Sequence, residues 1–435
     1  MKIDFDQLNN KIEGSHIIRT LGKVTKIIGL MIEAEGLSVE LGELCYIQGS
    51  QIKIKAEVVG FKDGITQLMP LGELHEVKMG ANVIPSKQQI SIKVGAELIG
   101  HIVNAFGEVI DDTKAPRTVA EVPQWGTKIN PLKKSRIAEP LHFGVKAIDG
   151  LLTCGKGQRM GIFAGSGVGK STLMGMIAKN SDADLNIIAL VGERSREVRE
   201  FIEECLGAEG LKRSIVIVAT SDEPSLVRVK AALFAHSLAE YFRDVEGKNV
   251  LLMLDSITRV ALAQREIGLA IGEPPATRGY TPSVFALIPK LLERSGTGET
   301  GSITALYTIL VEGDDLNEPV SDLARGVLDG HIVLSRELAH RNHFPAIDIL
   351  QSVSRVMPSI ASEAHIESAN HIKALMASYR EAQDLINIGA YQQGSNPNID
   401  KAIKAQSKIN ELLKQKVNEF STQEETFELM NAVIN

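Results

Sequence analysis

Cysteine is scarce: three residues in 435, Cys45, Cys154 and Cys205, and no two of them stand at a C-x-x-C or other metal-ligand spacing. That excludes a disulfide framework and a zinc site as organising features, and a reducing compartment fits best. Aromatics are also few, at 4% with Trp125 the sole tryptophan, which argues against stacking platforms for single-stranded nucleic acid. Positive charge is in deficit. The 47 Lys and Arg residues against 54 Asp and Glu leave a net charge of −7, so the chain exerts no global attraction on a phosphate backbone. Long apolar runs are missing as well. No membrane-spanning stretch occurs, and the first twenty residues, MKIDFDQLNNKIEGSHIIRT, hold no uninterrupted apolar core of signal-peptide length.

What is present is ample apolar material, 44% of residues, in a chain long enough for two or three domains. Residues 1–20 read as a short docking segment, because Phe5, Leu8 and Ile12 would share one helical face. Residues 21–92 alternate short β-branched runs with glycine turns, such as ELCYIQG and IKIKAEVVGFKDG. Such spacing predicts a small closed β-barrel, since closure removes exposed strand edges. Residues 93–358 change texture, with the buried runs QRMGIFAG, LNIIALVG, SIVIVAT, NVLLMLD, SITALYTIL and GHIVLS alternating with helical stretches. That pattern predicts an α/β domain with a mostly parallel sheet, whose ligands sit beyond the carboxyl ends of the strands. Residues 359–435 read as helical, with one stripe at Ile372, Leu375, Met376 and Tyr379. A second is expected at Ile409, Leu413, Val417 and Phe420, beyond the breaker GAYQQGSNPNID.

The chemistry starts at A-G-S-G-V-G-K-S, a phosphate-loop pattern between a strand and a helix, with Ala164 where the first glycine is expected. Gly165, Ser166, Gly167, Val168 and Gly169 would wrap backbone amides around the phosphates, and Lys170 adds positive charge. Ser171 offers a hydroxyl to Mg²⁺, and Thr172 beside it is a further nucleotide-binding residue. Ala164 needs only a negative φ, and Gly165 supplies the hinge one residue later. Asp255 ends the apolar run NVLLMLD and is the natural carboxylate for the metal. Glu193 follows another buried strand and can align a water for attack, with Arg194 beside it as a second contact to the terminal phosphate. A further arginine, commonly from a neighbouring subunit, is needed as the phosphoryl group departs. Arg355, Arg259 and Arg278 are the candidates.

The stretches PLHFGVKAIDGLLTCGKGQRMGIFAGSGVGKSTL, GERSREVREFIEE, LDSITRVALAQREIGLAIGEPPATRGYTPSVFALIPKLLERSG and LVEGDDLNEPVSDLARGVLDGHIVLSR together resemble the protein-export ATPases of flagellar and virulence type III secretion systems. These are relatives of the catalytic headpiece of rotary ATP synthases. The resemblance runs from about residue 22 to 391, with LLTCGKGQ and FAGSGVGKSTLMGMI favouring the flagellar branch. It implies a barrel, a P-loop nucleotide domain and a helical C-terminal domain, assembled as a six-membered ring that hydrolyses Mg-ATP. It further implies that Lys170, Ser171, Glu193 and Asp255 match the phosphate-loop lysine, metal ligand, catalytic glutamate and metal-associated aspartate. Arg355 matches the arginine finger, and Phe344 stands where the family usually has a tyrosine stacked on adenine. The implied partners are ATP, further copies of the chain, export substrates and chaperones, a stator-like regulator at the N-terminus, and an export gate at the membrane, with no nucleic acid. The implied location is the cytoplasmic side of the inner-membrane export apparatus. Non-catalytic headpiece subunits carry glutamine where this chain has Glu193, so the carboxylate separates it from a non-hydrolysing ring subunit. An RNA-translocating hexameric helicase would want an aromatic, basic barrel, and a rotary synthase subunit would need alternating partners.

Overall fold

The computed structural model describes residues 21–434 except 50–51, 75–76, 112, 114–115, 117, 119, 127–128, 312 and 314. The docking segment expected at residues 1–20 lies outside the described residues. Two compact units make up the remainder and are described in turn.

In the first unit, six strands close a barrel: β1 (Gly22–Ile28), β2 (Met31–Glu35), β3 (Glu43–Gln48), β4 (Lys53–Lys62), β5 (Ile65–Pro70) and β6 (Asn82–Gln89). They hydrogen-bond in the order β1-β2-β5-β4-β3-β6, and β1 returns to β6 through Gly22 and Lys23. Period-two alternation puts Val24, Ile32, Cys45, Ile47, Val58 and Leu68 inside. Burial there pushes the Cys45 thiol up to about 12. Glu43 also turns inward on β3, and its carboxylate accepts the backbone N–H groups of Glu40 and Lys87 at 3.0 and 2.9 Å, which satisfies a buried charge.

The second unit is built on a sheet of strands β7 (Ile102–Val103), β8 (Arg159–Ala164), β9 (Leu185–Val191), β10 (Ser214–Ala219), β11 (Asn249–Asp255), β12 (Ser302–Leu310), β13 (Gly330–Leu334) and β14 (Val353–Ser354). Their order is β14-β13-β8-β12-β11-β9-β10-β7, and every step is parallel except β13 to β14. All six apolar runs picked out above are strands of this sheet. Their unbroken hydrophobicity is what burial on both faces demands. Parallel running also gathers the ends of β8, β9 and β11 on one edge.

The C-terminal segment consists of helices that pack on the nucleotide domain. With α1 (Lys146–Leu151) and α2 (Lys170–Asn180) given their places, the three long helices are α3 (Glu363–Asn387), α4 (Pro397–Leu413) and α5 (Gln423–Ile434). The Ser362 hydroxyl caps α3 by accepting from His365 N, and Asn396 with Pro397 starts α4. Ile372, Leu375, Ile409, Leu412 and Met430 join the same apolar core as Leu173, Ile177 and Ile188. Burying a side chain such as Ile372 is worth about 2 kcal/mol.

The second expected stripe is corrected. The helix stops at Leu413, Lys414 takes an extended conformation, and Val417 and Phe420 are exposed. The separate helix α5 follows instead. Local periodicity loses here to tertiary bonding, because Gln415 turns into the protein and bonds residues about 270 positions away in sequence.

Candidate nucleotide site

Strand β8 ends at the buried Ala164, an ordinary strand residue, and α2 begins at Lys170. Only Gly167 (φ 76°) and Gly169 (φ 89°) adopt the left-handed backbone that disfavours side chains. The hinge expected at Gly165 is therefore not there; the turn is made two and four residues later. Val168 is buried and anchors the loop, while Ser166 and Ser171 are exposed. No side chain caps α2 at Gly169. Its first-turn amides, with the positive end of the helix dipole behind them, suit an anion.

The carboxylates arrive from neighbouring strands. Since β8, β12, β11 and β9 are adjacent and strands lie roughly 4.8 Å apart, the ends of β8 and β9 are separated by about 14 Å, with β11 between. A lysine at the head of α2 can cover that gap. Lys170 Nζ donates to Asp255 Oδ1 at 2.5 Å and stands 3.7 Å from Glu193 Oε1. Thr308, on β12, donates its hydroxyl to the same Asp255 Oδ1 at 2.6 Å. Glu193 Oε1 is buried and has no hydrogen-bond partner among the described residues. Burial first, then the Asp255 carboxylate, push Glu193 up to about 7, against the opposing pull of Lys170.

The arginines separate. Arg194 is not brought to this cluster: it precedes the helix Ser195–Glu200 in an extended conformation, and its side chain, 79% exposed, lies 3.7 Å from Glu197. Arg259 is the arginine beside Glu193. Its side chain packs so closely on Gly192 that a Cβ there would sit 2.9 Å from Arg259 Cβ, and its Nε is buried without a partner. Arg278 pairs with Asp315 and Glu318 at 3.0 and 3.2 Å. Arg355 follows β14, and its N–H bonds the carbonyl of Asp329, whose own N–H bonds Arg159 at the start of β8. It therefore stands at the amino edge of the sheet, roughly 17 Å along β8 from the phosphate loop.

Phe344 is near the loop, its ring 3.7 Å from where a Cβ on Gly169 would lie. It forms part of the wall of a cavity of about 1040 Å³ together with Thr172, Met176, Ala346, Asn410 and Gln415. Gly169, at the end of the phosphate loop, is itself part of the cavity wall.

Two neighbours escaped the sequence reading. Thr308 sits opposite Asp255 by strand register, Leu254 pairing with Tyr307, and its trace in the sequence is a hydroxyl inside the apolar run SITALYTIL. Arg259 was visible only as one candidate for a different role.

Comparison with known proteins agrees along the whole chain. Residues 24–87 match the ATP synthase alpha/beta family beta-barrel domain, residues 144–354 that family's nucleotide-binding domain, and residues 361–432 the T3SS EscN ATPase C-terminal domain. The flagellum-specific ATP synthase of Bacillus subtilis (strain 168) is 54% identical over 97% of each chain. The type 3 secretion system ATPase of Xanthomonas euvesicatoria is 47% identical over 95% of this chain and 94% of its own. Among solved structures, the assembled ATPase EscN of the enteropathogenic E. coli type III secretion system superposes with a TM-score of 0.89 at 43% identity, covering 95% of this chain and all of that one. The chain belongs to the ATP synthase alpha/beta family, in its flagellum-specific and type III secretion ATPase branch.

Proposed function

We propose that this chain hydrolyses ATP to drive type III protein export, in the flagellar system, as one member of a ring of identical copies. The observation that carries the chemistry is the buried Glu193 Oε1, which accepts no hydrogen bond among the described residues and faces the phosphate-loop lysine at 3.7 Å. An orphan buried oxygen is costly in a structural role and useful as a water acceptor. The flagellar assignment is supported by the stretches LLTCGKGQ and FAGSGVGKSTLMGMI and by the 54% identity to the flagellum-specific relative of Bacillus subtilis.

The amides of Gly165–Gly169 and Lys170 bind and orient the triphosphate, with Thr172 in the wall of the cavity. Phe344 presents its ring to the base; phenylalanine keeps the π-face of a tyrosine and loses only the hydroxyl. Glu193 accepts the proton of the attacking water, and Arg259 lies close enough to hold that carboxylate. Arg194 is left with a solvent-facing role in this conformation. Arg355, turned away from its own phosphate loop, reaches the terminal phosphate of the adjacent copy and steadies the charge that develops there.

The residues fit a magnesium ion. Among the described residues no cluster of three or more His, Cys, Asp or Glu side chains forms a closed metal cage. Nucleotide-bound Mg²⁺ needs only one or two protein oxygens besides phosphate and water. Ser171 Oγ and Asp255 would supply them, since both hydrogen bonds to Asp255 fall on Oδ1. When bound, the ion neutralises charge on the β- and γ-phosphate oxygens.

The domains proposed are the barrel at 21–92, the ATPase domain at 93–358 and the helical domain at 359–435. EscN is known both assembled and in complex with its central stalk EscO. By that likeness the ring of this chain takes a stalk protein. Export substrates and chaperones at the helical domain, a regulator at residues 1–20 and a peripheral attachment to the export gate complete the reading. No helix among the described residues is long and apolar enough to cross a membrane. Phosphate release tests the core of it. Glu193→Gln lowers kcat at least about a hundredfold while nucleotide binding persists. Wild-type turnover rises with pH through about 7, as the Glu193 carboxyl ionises, and that limb vanishes from the residual rate of the variant. Undiminished turnover in Glu193→Gln overturns the assignment.

A further inference from the structure

Gln415 spends its backbone N–H and both polar atoms of its side chain on one junction. Its backbone N–H donates to the carbonyl of Phe344 at 3.0 Å. Its side-chain Nε2 donates to the carbonyls of Gly144 and Glu419, both at 2.7 Å. Its Oε1 accepts the backbone N–H of Lys146 at 2.9 Å. The side chain is buried, at 6% exposure, in the wall of the cavity that runs past Gly169 and Phe344. Two donors and one acceptor on a single side chain are a demand only glutamine and asparagine can meet, and asparagine is one methylene short.

A second tie reinforces the first. Lys146 Nζ, itself buried, donates to the carbonyl of Glu411 at 3.1 Å and to Glu419 Oε1 at 3.0 Å. Burial alone would raise the Glu419 carboxyl, but the Lys416 amide and the Lys146 ammonium outweigh it and hold it below the usual range. Residues 414–419 thus form a rigid turn pinned to 144–146 on one side and to Phe344 on the other. Phe344 is 42% exposed. Its main chain is held by a residue of the helical segment.

We propose that Gln415 is a positioning residue for the nucleotide base: it fixes the main chain at Phe344, and through it the face on which the base stacks. The inference rests on the reading of Phe344 as the base wall. It makes the C-terminal helical segment part of the affinity and base selectivity of the site, without touching the phosphates or Glu193. Binding energy that is equal in the ground and transition states, as stacking on the base is, registers in KM and in discrimination between bases, with kcat spared.

The test compares phosphate release from ATP and from CTP, with nucleotide-free thermal unfolding alongside. Gln415→Met keeps the length and removes all three side-chain bonds; Gln415→Glu keeps the acceptor and replaces the donors. We expect Gln415→Met to raise KM for ATP about tenfold, hold kcat within about twofold and flatten the preference for ATP over CTP, with Gln415→Glu intermediate. A residue serving only as a structural brace would lower the folded fraction, so that kcat per mole falls while KM and base preference stay put, and that result overturns the proposal. Should Gln415→Met not fold, the Gln415→Glu comparison decides on the same criteria. Phe344→Ala run in parallel separates two failures. If it shifts KM and base preference while both Gln415 variants do not, the role of Gln415 is refuted. If Phe344→Ala changes neither, the base-wall reading falls first and this proposal with it.

Discussion

Glu193 and Asp149 are both carboxyls that burial pushes up to about 7, yet their surroundings assign them opposite tasks. Glu193 leaves an oxygen without a hydrogen bond, 3.7 Å from the Lys170 ammonium, whereas Asp149 Oδ1 accepts the Phe143 N–H at 2.9 Å and closes the turn into α1. A carboxyl whose folded value lies above its unfolded one holds its proton better in the folded state. Stability is then fully present below the unfolded value near 4 and is lost as pH rises towards 7. Asp149→Asn keeps an acceptor for the turn and removes the buried charge. We expect its unfolding midpoint to decline less steeply than that of wild type between pH 4 and 8, the remaining decline belonging to Glu193, with a gap on the order of 3 kcal/mol at the upper end by urea titration. At this scale the sequence disclosed Lys170, Glu193 and Asp255, because each terminates a recognisable strand or loop. Thr308 and Gln415 were not legible. A hydroxyl within an apolar strand and a glutamine after a helix acquire their roles only from what the fold brings opposite them.

At the scale of the element, the parallel strands were readable because double-sided burial writes itself as continuous hydrophobicity, and the barrel because glycine turns punctuate short alternating runs. The end of α4 was not. The heptad-like spacing of Ile409, Leu413, Val417 and Phe420 continues past the point where Gln415 is drawn inward, and only the partner residues 144–146 decide the outcome. Helix α2 shows how tightly one element is held. A Cβ on Gly175 would lie 2.6 Å from the carbonyl oxygen of Cys205 and 2.8 Å from its Cβ, and a backbone neighbour cannot swing aside. Gly175→Ala therefore gains helix propensity and still destabilises the second unit by about 2 kcal/mol, measurable as a lower denaturant midpoint. A midpoint unchanged or raised would mean that α2 and the following π-helical turn (Phe201–Leu206) separate at little cost.

At the scale of the whole molecule, the two edges of the sheet carry different candidate residues. Its carboxyl edge carries Lys170, Asp255 and Glu193, and its amino edge carries Arg355, held in place by the carbonyl of Asp329 while Arg159 grips the Asp329 carboxylate through Nε at 3.0 Å and Nη2 at 3.1 Å. If Arg355 serves an adjacent copy, specific activity climbs with protein concentration. Mixing Arg355→Ala with Glu193→Gln then restores turnover above that of either variant alone, because some seams pair an intact glutamate with an intact arginine. Mixtures that never exceed the better parent would remove the interfacial role. The separation of these two groups across one rigid sheet carries a consequence for mixed assemblies. If Arg355 acts across the seam, a copy altered there silences its neighbour's centre and keeps its own, so in a mixed population the damage falls on normal chains in proportion to the altered share.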